Sequence, residues 1–270
     1  MSSDSNLPNG FARRAGSLFC EDAQASHLAE QFGTPLYIYS QSAITEAFLT
    51  WKQAFGDARH LVCYAVKANS NIAILRLLAS LGSGFDIVSG GELERVLTAG
   101  GDAAKVVFSG VGKSPAEIRR ALEVGIRCFN VESSSELYLI EKIASERGEI
   151  ARISIRINPD VDAKTHPYIS TGLKENKFGV NAQQALELYR YAQGASHLQP
   201  VGVDCHIGSQ LTEVAPFVES VQHLRDLVLQ LRKSGINIEH IDIGGGLGIQ
   251  YSDEAIPSPS ELISAVRAEL

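Results

Sequence analysis

A short apolar run that ends in a lysine decides the fold class: Leu61-Val62-Cys63-Tyr64-Ala65-Val66-Lys67-Ala68-Asn69-Ser70-Asn71. Its apolar residues are continuous rather than alternating, which predicts a parallel strand that is buried on both faces. Lys67 then stands at the carboxyl end of the strand, where barrels and open α/β sheets place their chemistry. A lysine that loses its proton is a nucleophile suited to forming a Schiff base, although a lysine at a strand end can also simply extend its ammonium into solvent.

The same pattern of a short apolar strand followed by an amphipathic helix repeats along the chain. We predict strands at 61–66, 84–88, 105–109, 127–131, 152–157, 201–206 and 239–243. Helices are predicted at about 71–81, 90–99, 114–124, 133–147, 181–193, 215–234 and 259–270. The first four strand centres recur at about 22 residues, which favours a (β/α)8 barrel of the TIM type over an open sheet. Because a barrel closes only with its eighth strand, we expect its last strand or strands to be missing from this sequence.

The N-terminal part of the sequence is less regular. Residues 1 to about 15 are polar and predict a loose arm, followed by a helix at 22–32 and a strand at 36–39. Ser40 is expected to cap a helix at about 43–54. The expected organisation is an arm over 1–35 and a barrel over 36–270.

Composition excludes several classes of protein. The chain has 270 residues, 44% of them hydrophobic, and a formal net charge of −7, which gives no footprint for nucleic acid or an anionic membrane. No apolar stretch approaches the roughly 20 residues that span a bilayer. The N-terminus lacks the basic and apolar regions of a signal peptide, so we expect a cytoplasmic protein. Four widely separated cysteines indicate reduced thiols rather than disulfides or a zinc site.

Polar residues cluster at the carboxyl ends of the predicted strands, as a barrel active site requires. In chain order they are Lys67, Asp86, Ser89, Ser109, Asn130, Glu132, Arg156, Asn158, His206, Ser209 and the run Gly244-Gly245-Gly246-Leu247-Gly248. Any one of these residues alone could be a loop residue that hydrogen-bonds its own backbone. Clusters on seven neighbouring strands indicate a common site.

The glycine run follows the seventh predicted strand, where barrels often bind phosphate through backbone N–H groups. No βαβ unit with a later acidic residue accompanies the run, which argues against a dinucleotide site. A cofactor with both an aldehyde and a phosphate would bridge Lys67 and the run, and pyridoxal 5′-phosphate is that cofactor. His206 could reach over its ring or could be a hydrogen-bonded core histidine. A β-branched residue at Gly245 or Gly246 is expected to weaken cofactor binding and to spare the fold.

Several longer stretches carry a family resemblance. They are Tyr-Ala-Val-Lys-Ala-Asn at 64–69, Phe-Asp-Ile-Val-Ser-Gly-Gly-Glu-Leu at 85–93, Arg-Ile-Asn-Pro at 156–159, Thr-His-Pro-Tyr-Ile-Ser-Thr-Gly at 165–172, Lys-Phe-Gly at 177–179, His-Ile-Gly-Ser-Gln at 206–210 and Asp-Ile-Gly-Gly-Gly-Leu-Gly at 242–248. Over about residues 30–255 the chain resembles the diaminopimelate decarboxylases, which are pyridoxal-phosphate enzymes with an alanine-racemase-like barrel.

The resemblance implies decarboxylation of meso-2,6-diaminopimelate to L-lysine and CO2, the last step of lysine biosynthesis. It also implies roles for eight residues: Lys67 holds the cofactor, His206 stacks on its ring, Ser209, Gly244, Gly245 and Gly246 bind its phosphate, and Asp86 and Arg156 line the site near the lysine. A decarboxylase of the ornithine or arginine type stays open as an alternative. So does a non-catalytic barrel that binds pyridoxal phosphate.

The family continues past the last residue of this sequence. It has a Glu-Pro-Gly-Arg strand, whose groups contact the pyridine nitrogen and the phosphate, and then a β-domain that contributes a cysteine across a dimer interface. The resemblance therefore implies a homodimer in the full-length form and an N-terminal arm that packs with the β-domain. It also leads us to expect weak cofactor binding and slow or absent turnover from the 270 residues alone.

Overall fold

The computed structural model describes residues 7–159, 161, 178–251 and 253–270. Contacts divide the chain into two compact units, Met1–Gly56 and Asp57–Leu270. The stretch at 165–172 and Lys177, both part of the family resemblance, lie outside the described residues. The division at residue 35 and the packing of an arm against a β-domain stay predictions.

A small antiparallel sheet opens the first unit. It has the order β1 (Phe11–Arg14), β2 (Ser17–Cys20) and β3 (Ala23–Gln24). Ala15 and Gly16 join β1 to β2, and both have positive φ, as the favoured two-residue hairpin turn requires. The expectation of a loose arm up to residue 15 was therefore wrong for the residues of β1, which pair with β2 along their whole length.

Two helices complete the first unit, α1 (Ala25–Phe32) and α2 (Gln41–Ala54). The side chain of Ser40 accepts a hydrogen bond from the Ala43 N–H at 3.0 Å, so the predicted cap is confirmed. The predicted strand at 36–39 was wrong. Its residues are irregular and pair with no strand in the described ranges, and a strand persists only where its N–H and C=O groups find a neighbour.

A seven-stranded parallel sheet forms the centre of the second unit. Its strands are β4 (Cys63–Ala65), β5 (Gly84–Ile87), β6 (Val106–Phe108), β7 (Cys128–Val131), β8 (Ala151–Arg156), β9 (Leu198–Asp204) and β10 (His240–Asp242). They lie in the sheet in chain order, with β4 and β10 at its two ends. Each strand overlaps the strand predicted from the sequence, so the seven predictions are confirmed.

Helices follow the strands and cover the sheet. They are α3 (Ile72–Ser80), α4 (Gly90–Thr98), α5 (Pro115–Val124), α6 (Ser134–Arg147), α7 (Ala182–Gly194), α8 (Ala215–Lys233) and α9 (Pro259–Arg267). Most begin at an Asn or Ser whose side chain accepts an N–H of the first turn, so each helix starts at a defined point after its strand. Among the described helices, none is both long and apolar enough to cross a membrane.

The sheet curls until side chains of distant strands meet. Asn130 Nδ2 on β7 lies 3.4 Å from Asp242 Oδ2 on β10, although β8 and β9 separate these strands in the sheet. In a flat sheet the two strands would be about 14 Å apart, since neighbouring strands are about 4.8 Å apart. The sheet is therefore a curved barrel wall with its own interior, and the predicted (β/α) barrel architecture is confirmed.

Candidate active site

The eight site residues predicted from the sequence all lie at or after the carboxyl ends of the parallel strands. Lys67 follows β4, Asp86 is in β5, Arg156 ends β8, His206 and Ser209 follow β9, and Gly244, Gly245 and Gly246 follow β10. The structure brings five of them together: the charges of Lys67 and Arg156 act on the pKa values of both Asp86 and His206, and His206 Nδ1 accepts the Gly245 N–H at 3.4 Å. Ser209 is exposed and makes no hydrogen bond to the other seven within the described ranges.

Lys67 sits on a short, tethered turn. Residues 66–68 form one 3-10 turn in which Val66 is buried and Lys67 is exposed. The hydroxyl of Tyr64 donates to the carbonyl oxygen of Asn69 at 3.3 Å. Asn71 then caps α3 through its side-chain oxygen. The lysine amine is thus held between a strand end and a helix start and is open to a reactant.

Asp86 lies on β5, the strand that pairs with β4 just before Lys67. Burial raises its pKa to about 6, and the charge of Asp242 adds to this increase. A hydrogen bond from Ser109 Oγ at 2.6 Å and the charges of Lys67 and Arg156 oppose it. The carboxyl group therefore titrates close to neutral pH and can either hold or release a proton.

A continuous row of hydrogen bonds crosses the barrel from Asp86 to Gly244. Ser109 Oγ donates to Asp86 Oδ1, and Asn130 Nδ2 donates to Ser109 Oγ at 3.2 Å. The same nitrogen donates to Asp242 Oδ2 at 3.4 Å. Asp242 Oδ1 accepts the Gly244 N–H at 2.8 Å. We call these five residues the interior hydrogen-bond chain; it joins the lysine side of the site to the glycine run.

Arg156 is clamped between acidic and aromatic groups. Its Nη1 donates to Glu132 Oε1 at 3.2 Å, and its Nε lies 4.0 Å from Asp204 Oδ2. Its guanidinium lies 5.1 Å from the ring centre of Phe178. The other Glu132 oxygen, Oε2, is buried and has no hydrogen-bond partner in the described part of the chain. Burial, and then the charge of Asp242, raise the pKa of Asp204 well above its usual range.

A buried lysine that the sequence did not reveal, Lys113, is linked to Arg156 through Glu136 and Glu132. Lys113 Nζ donates to Glu136 Oε1 at 2.6 Å and to the carbonyl oxygen of Asn130 at 2.8 Å. Glu136 Oε2 in turn accepts the N–H of Glu132 at 3.0 Å. Lys113 comes from a polar loop after a strand, and nothing in that pattern distinguishes a buried lysine from an exposed one.

His206 is a neutral imidazole at neutral pH. Burial, together with the positive charges of Arg156 and Lys67, lowers its pKa to about 4. Its Nδ1 accepts the N–H of Gly245 at 3.4 Å, which an unprotonated nitrogen can do. The ring is therefore an uncharged aromatic surface beside the glycine run.

The three glycines after β10 differ in what surrounds them. Gly244 and Gly246 have φ of +68° and +107°, and a Cβ on either one would collide with the carbonyl oxygen of Cys205 or of Gly208. A Cβ on Gly245 would meet no described atom within 4 Å. The expectation that a replacement of Gly246 spares the fold is therefore wrong, whereas it holds sterically for Gly245. The open space at Gly245 leaves room for a phosphate beside the turn.

Comparison with known proteins decides the family. The sequence profile of the family described as "Pyridoxal-dependent decarboxylase, pyridoxal binding domain" matches residues 41–270. The chain belongs to the pyridoxal-dependent decarboxylases. The residues fit that cofactor, because this decarboxylase chain places an exposed lysine and an open glycine turn at one end of its barrel.

Three similar proteins share one name, diaminopimelate decarboxylase. This decarboxylase chain is 57% identical over 262 residues to the diaminopimelate decarboxylase of Haemophilus influenzae, covering 97% of this chain and 63% of that protein. The crystal structure of the Helicobacter pylori diaminopimelate decarboxylase complexed with L-lysine is similar with a TM-score of 0.89 and 48% identity, over 91% of this chain and 62% of that one. The structure of the M. jannaschii diaminopimelate decarboxylase in co-complex with L-lysine is similar with a TM-score of 0.90 and 43% identity, over 97% of this chain and 62% of that one. The chain thus spans somewhat less than two thirds of each relative.

Proposed function

We propose that this chain is the cofactor-binding part of a diaminopimelate decarboxylase, which converts meso-2,6-diaminopimelate to L-lysine and CO2. One observation carries the proposal: a strand-end lysine lies beside a carboxyl group that titrates near neutral pH and a neutral histidine, at the same barrel end as an open glycine turn. The names of the similar proteins, two of which were solved with L-lysine, support this choice of substrate.

The proposed cofactor is pyridoxal 5′-phosphate. Lys67 would hold it covalently, Ser209 and Gly244 to Gly246 would bind its phosphate, His206 would face its ring, and Asp86 and Arg156 would line the site. When bound, the cofactor supplies an electron sink for the negative charge left on the substrate's α-carbon as CO2 departs.

The chain's own residues set the conditions for this chemistry. The neutral ring of His206 adds no charge to the face that it covers. Asp86 can exchange a proton at its carboxylate oxygens near neutral pH. Arg156 supplies a fixed positive charge because Glu132 holds its guanidinium in place.

Covalent labelling tests the role of Lys67. Protein reconstituted with pyridoxal phosphate should absorb visible light, and borohydride should fix the cofactor on the peptide that contains Lys67. Lys67→Arg keeps the positive charge and should abolish labelling, whereas the control Lys105→Arg should label like the wild type. Labelling of Lys105 or Lys177 in the wild type would contradict the assignment.

A substrate panel tests the reaction. Release of CO2 from meso-2,6-diaminopimelate, with L-lysine as the product, should exceed release from ornithine, arginine or lysine. The panel uses the full-length protein, because slow or absent turnover is expected from the 270 residues alone. A preference for ornithine or arginine would reassign the protein to another decarboxylase of this fold, and cofactor binding by the full-length protein without turnover of any amino acid would favour a non-catalytic barrel.

The proposal extends to assembly and location. We propose a homodimeric full-length protein in the cytoplasm, on the strength of the family resemblance. Light scattering of the full-length protein should give twice the mass of one chain, and a monomer would contradict the proposed dimer.

A further inference from the structure

Asn130 occupies the middle of the interior hydrogen-bond chain. We propose that it is a positioning residue whose single side-chain amide fixes both the carboxylate of Asp86 and the turn at Gly244, so that the lysine side and the phosphate side of the site are held in register. The effect on cofactor binding rests on the proposed function, whereas the hydrogen bonds of Asn130 are observed in this structure.

The chemistry of the amide explains why asparagine is needed at this position. Its NH2 group has two hydrogens, and its nitrogen lies within hydrogen-bond distance of two acceptors, Ser109 Oγ at 3.2 Å and Asp242 Oδ2 at 3.4 Å. Asn130 is only 2% exposed, so water cannot replace either contact without a change in packing. An apolar residue would remove both donors, and an ionised aspartate would replace them with acceptors.

The two contacts lead to opposite sides of the site. Through Ser109, Asn130 orients Asp86 on β5, close enough to Lys67 for the lysine charge to act on its carboxyl group. Through Asp242, it orients the N–H of Gly244, whose φ of +68° begins the glycine run. A single ligand that touches Lys67 and the run would therefore depend on Asn130 for the placement of both of its ends.

The charged groups around Asn130 make Asn130→Asp an informative substitution. Charged or titratable groups around the interior hydrogen-bond chain are Cys63, Lys67, Asp86, Lys113, Arg127, Cys128, Glu132, Arg156, Asp204, His240 and Asp242. Asn130→Asp places one more carboxylate beside two that are already close, and like charges raise one another's pKa. Ser109→Ala removes the donor to Asp86 and the acceptor of one Asn130 hydrogen bond, and it adds no titrating group.

The first experiment uses the cofactor-free protein. Carbon-13 NMR of labelled aspartate, with the Asp86 signal assigned from Asp86→Asn, should show a titration midpoint near 6 in the wild type. The midpoint should rise in Ser109→Ala and in Asn130→Asp. The control is Asn181→Asp, the same amide-to-acid change at the N-cap of α7. The Asn181 side chain accepts a hydrogen bond there, and a carboxylate can do the same, so the Asp86 midpoint should not move in this variant. An unchanged Asp86 midpoint in both Ser109→Ala and Asn130→Asp would overturn the proposal.

The second experiment measures affinity. Asn130→Asp should bind pyridoxal phosphate about tenfold more weakly than the wild type, the ratio expected when one hydrogen bond to a charged group is lost. Asn181→Asp should bind like the wild type. Equal affinity in Asn130→Asp and Asn181→Asp would contradict the role of Asn130. Failure of the wild type to bind the cofactor would refute the proposed function instead. The titration midpoint of Asp86 in the cofactor-free protein would then still decide whether Asn130 positions Asp86.

Discussion

At the residue scale, the neighbours Gly245 and Gly246 should respond in opposite ways to the same replacement. Gly245→Val points a side chain into open space, so it should leave the melting temperature unchanged while blocking the approach of a phosphate to the backbone. Its affinity for pyridoxal phosphate should fall by about tenfold or more. Gly246→Val should instead lower the melting temperature, since a Cβ there meets the carbonyl oxygen of Gly208. Thermal unfolding and cofactor titration of both variants test this, and equal affinities of Gly245→Val and the wild type would contradict the phosphate role.

His206 should leave a signature in the pH dependence of stability. Its pKa falls from 6.5 to about 4 on folding, so the unfolded chain binds the proton more tightly than the folded one. The free energy of unfolding should therefore gain up to about 3 kcal/mol from this residue as pH rises from about 4 to 6.5, and lose it on acidification. Asp86 acts in the opposite direction, because its raised pKa makes ionisation between about 3.8 and 6 destabilising.

Urea unfolding at several pH values separates the two contributions. The difference in the free energy of unfolding between the wild type and His206→Asn should grow as pH rises from about 4 to 6.5 and then level off. The same replacement at His223, an exposed position on α8, is the control. A difference that stays constant between pH 4 and 7 would show that His206 is not protonated more easily in the unfolded chain.

At the scale of elements, the buried pair Lys113–Glu136 joins the loop after β6 to the start of α6. The Lys113 side chain is 0% exposed and that of Glu136 is 9% exposed. Lys113→Met should lower the free energy of unfolding by about 3–5 kcal/mol, since it leaves a buried carboxylate without its partner. Adding Glu136→Leu should recover part of this loss. Lys142→Met, at an exposed position on α6, should change stability by less than about 0.5 kcal/mol in the same urea titration.

The sequence predicted elements well where burial on both faces leaves a continuous apolar run. β6 is the clearest case, since all three of its residues are apolar and buried. It failed at 36–39, where tyrosine and isoleucine suggested a strand but exposed backbone finds no partner among the described residues. It missed the hairpin of β1 and β2, whose only local signal is the Ala15-Gly16 turn between two short, half-polar segments. Strand formation is a property of pairs, and a single run of residues does not contain its partner.

At the scale of the whole molecule, the repeat of strand and helix placed the candidate residues at one end of the barrel without any knowledge of contacts. The periodicity was sufficient to place four residues at the same end of the barrel, because the carboxyl ends of parallel strands lie at one edge of the sheet. They are Lys67, Asp86, Arg156 and His206. It could not show the pairing of Arg156 with Glu132 or the link from Asn130 to Asp242. Those contacts depend on the curvature of the sheet. The curvature depends in turn on the packing of side chains from strands that are far apart in the sequence.

The strand order of the second unit also bears on how the chain acquires its structure. Since strands adjacent in the sheet are also adjacent in the chain, each new strand pairs with the one made just before it. Closing such short loops is cheap in entropy, and each doubling of loop length adds only about 0.6 kcal/mol. A ribosome that adds roughly 5–20 residues per second delivers one strand-helix unit of about 22 residues every few seconds, and the helix of that unit forms within about a microsecond. The barrel wall can therefore assemble from its first strand onward while synthesis is still under way.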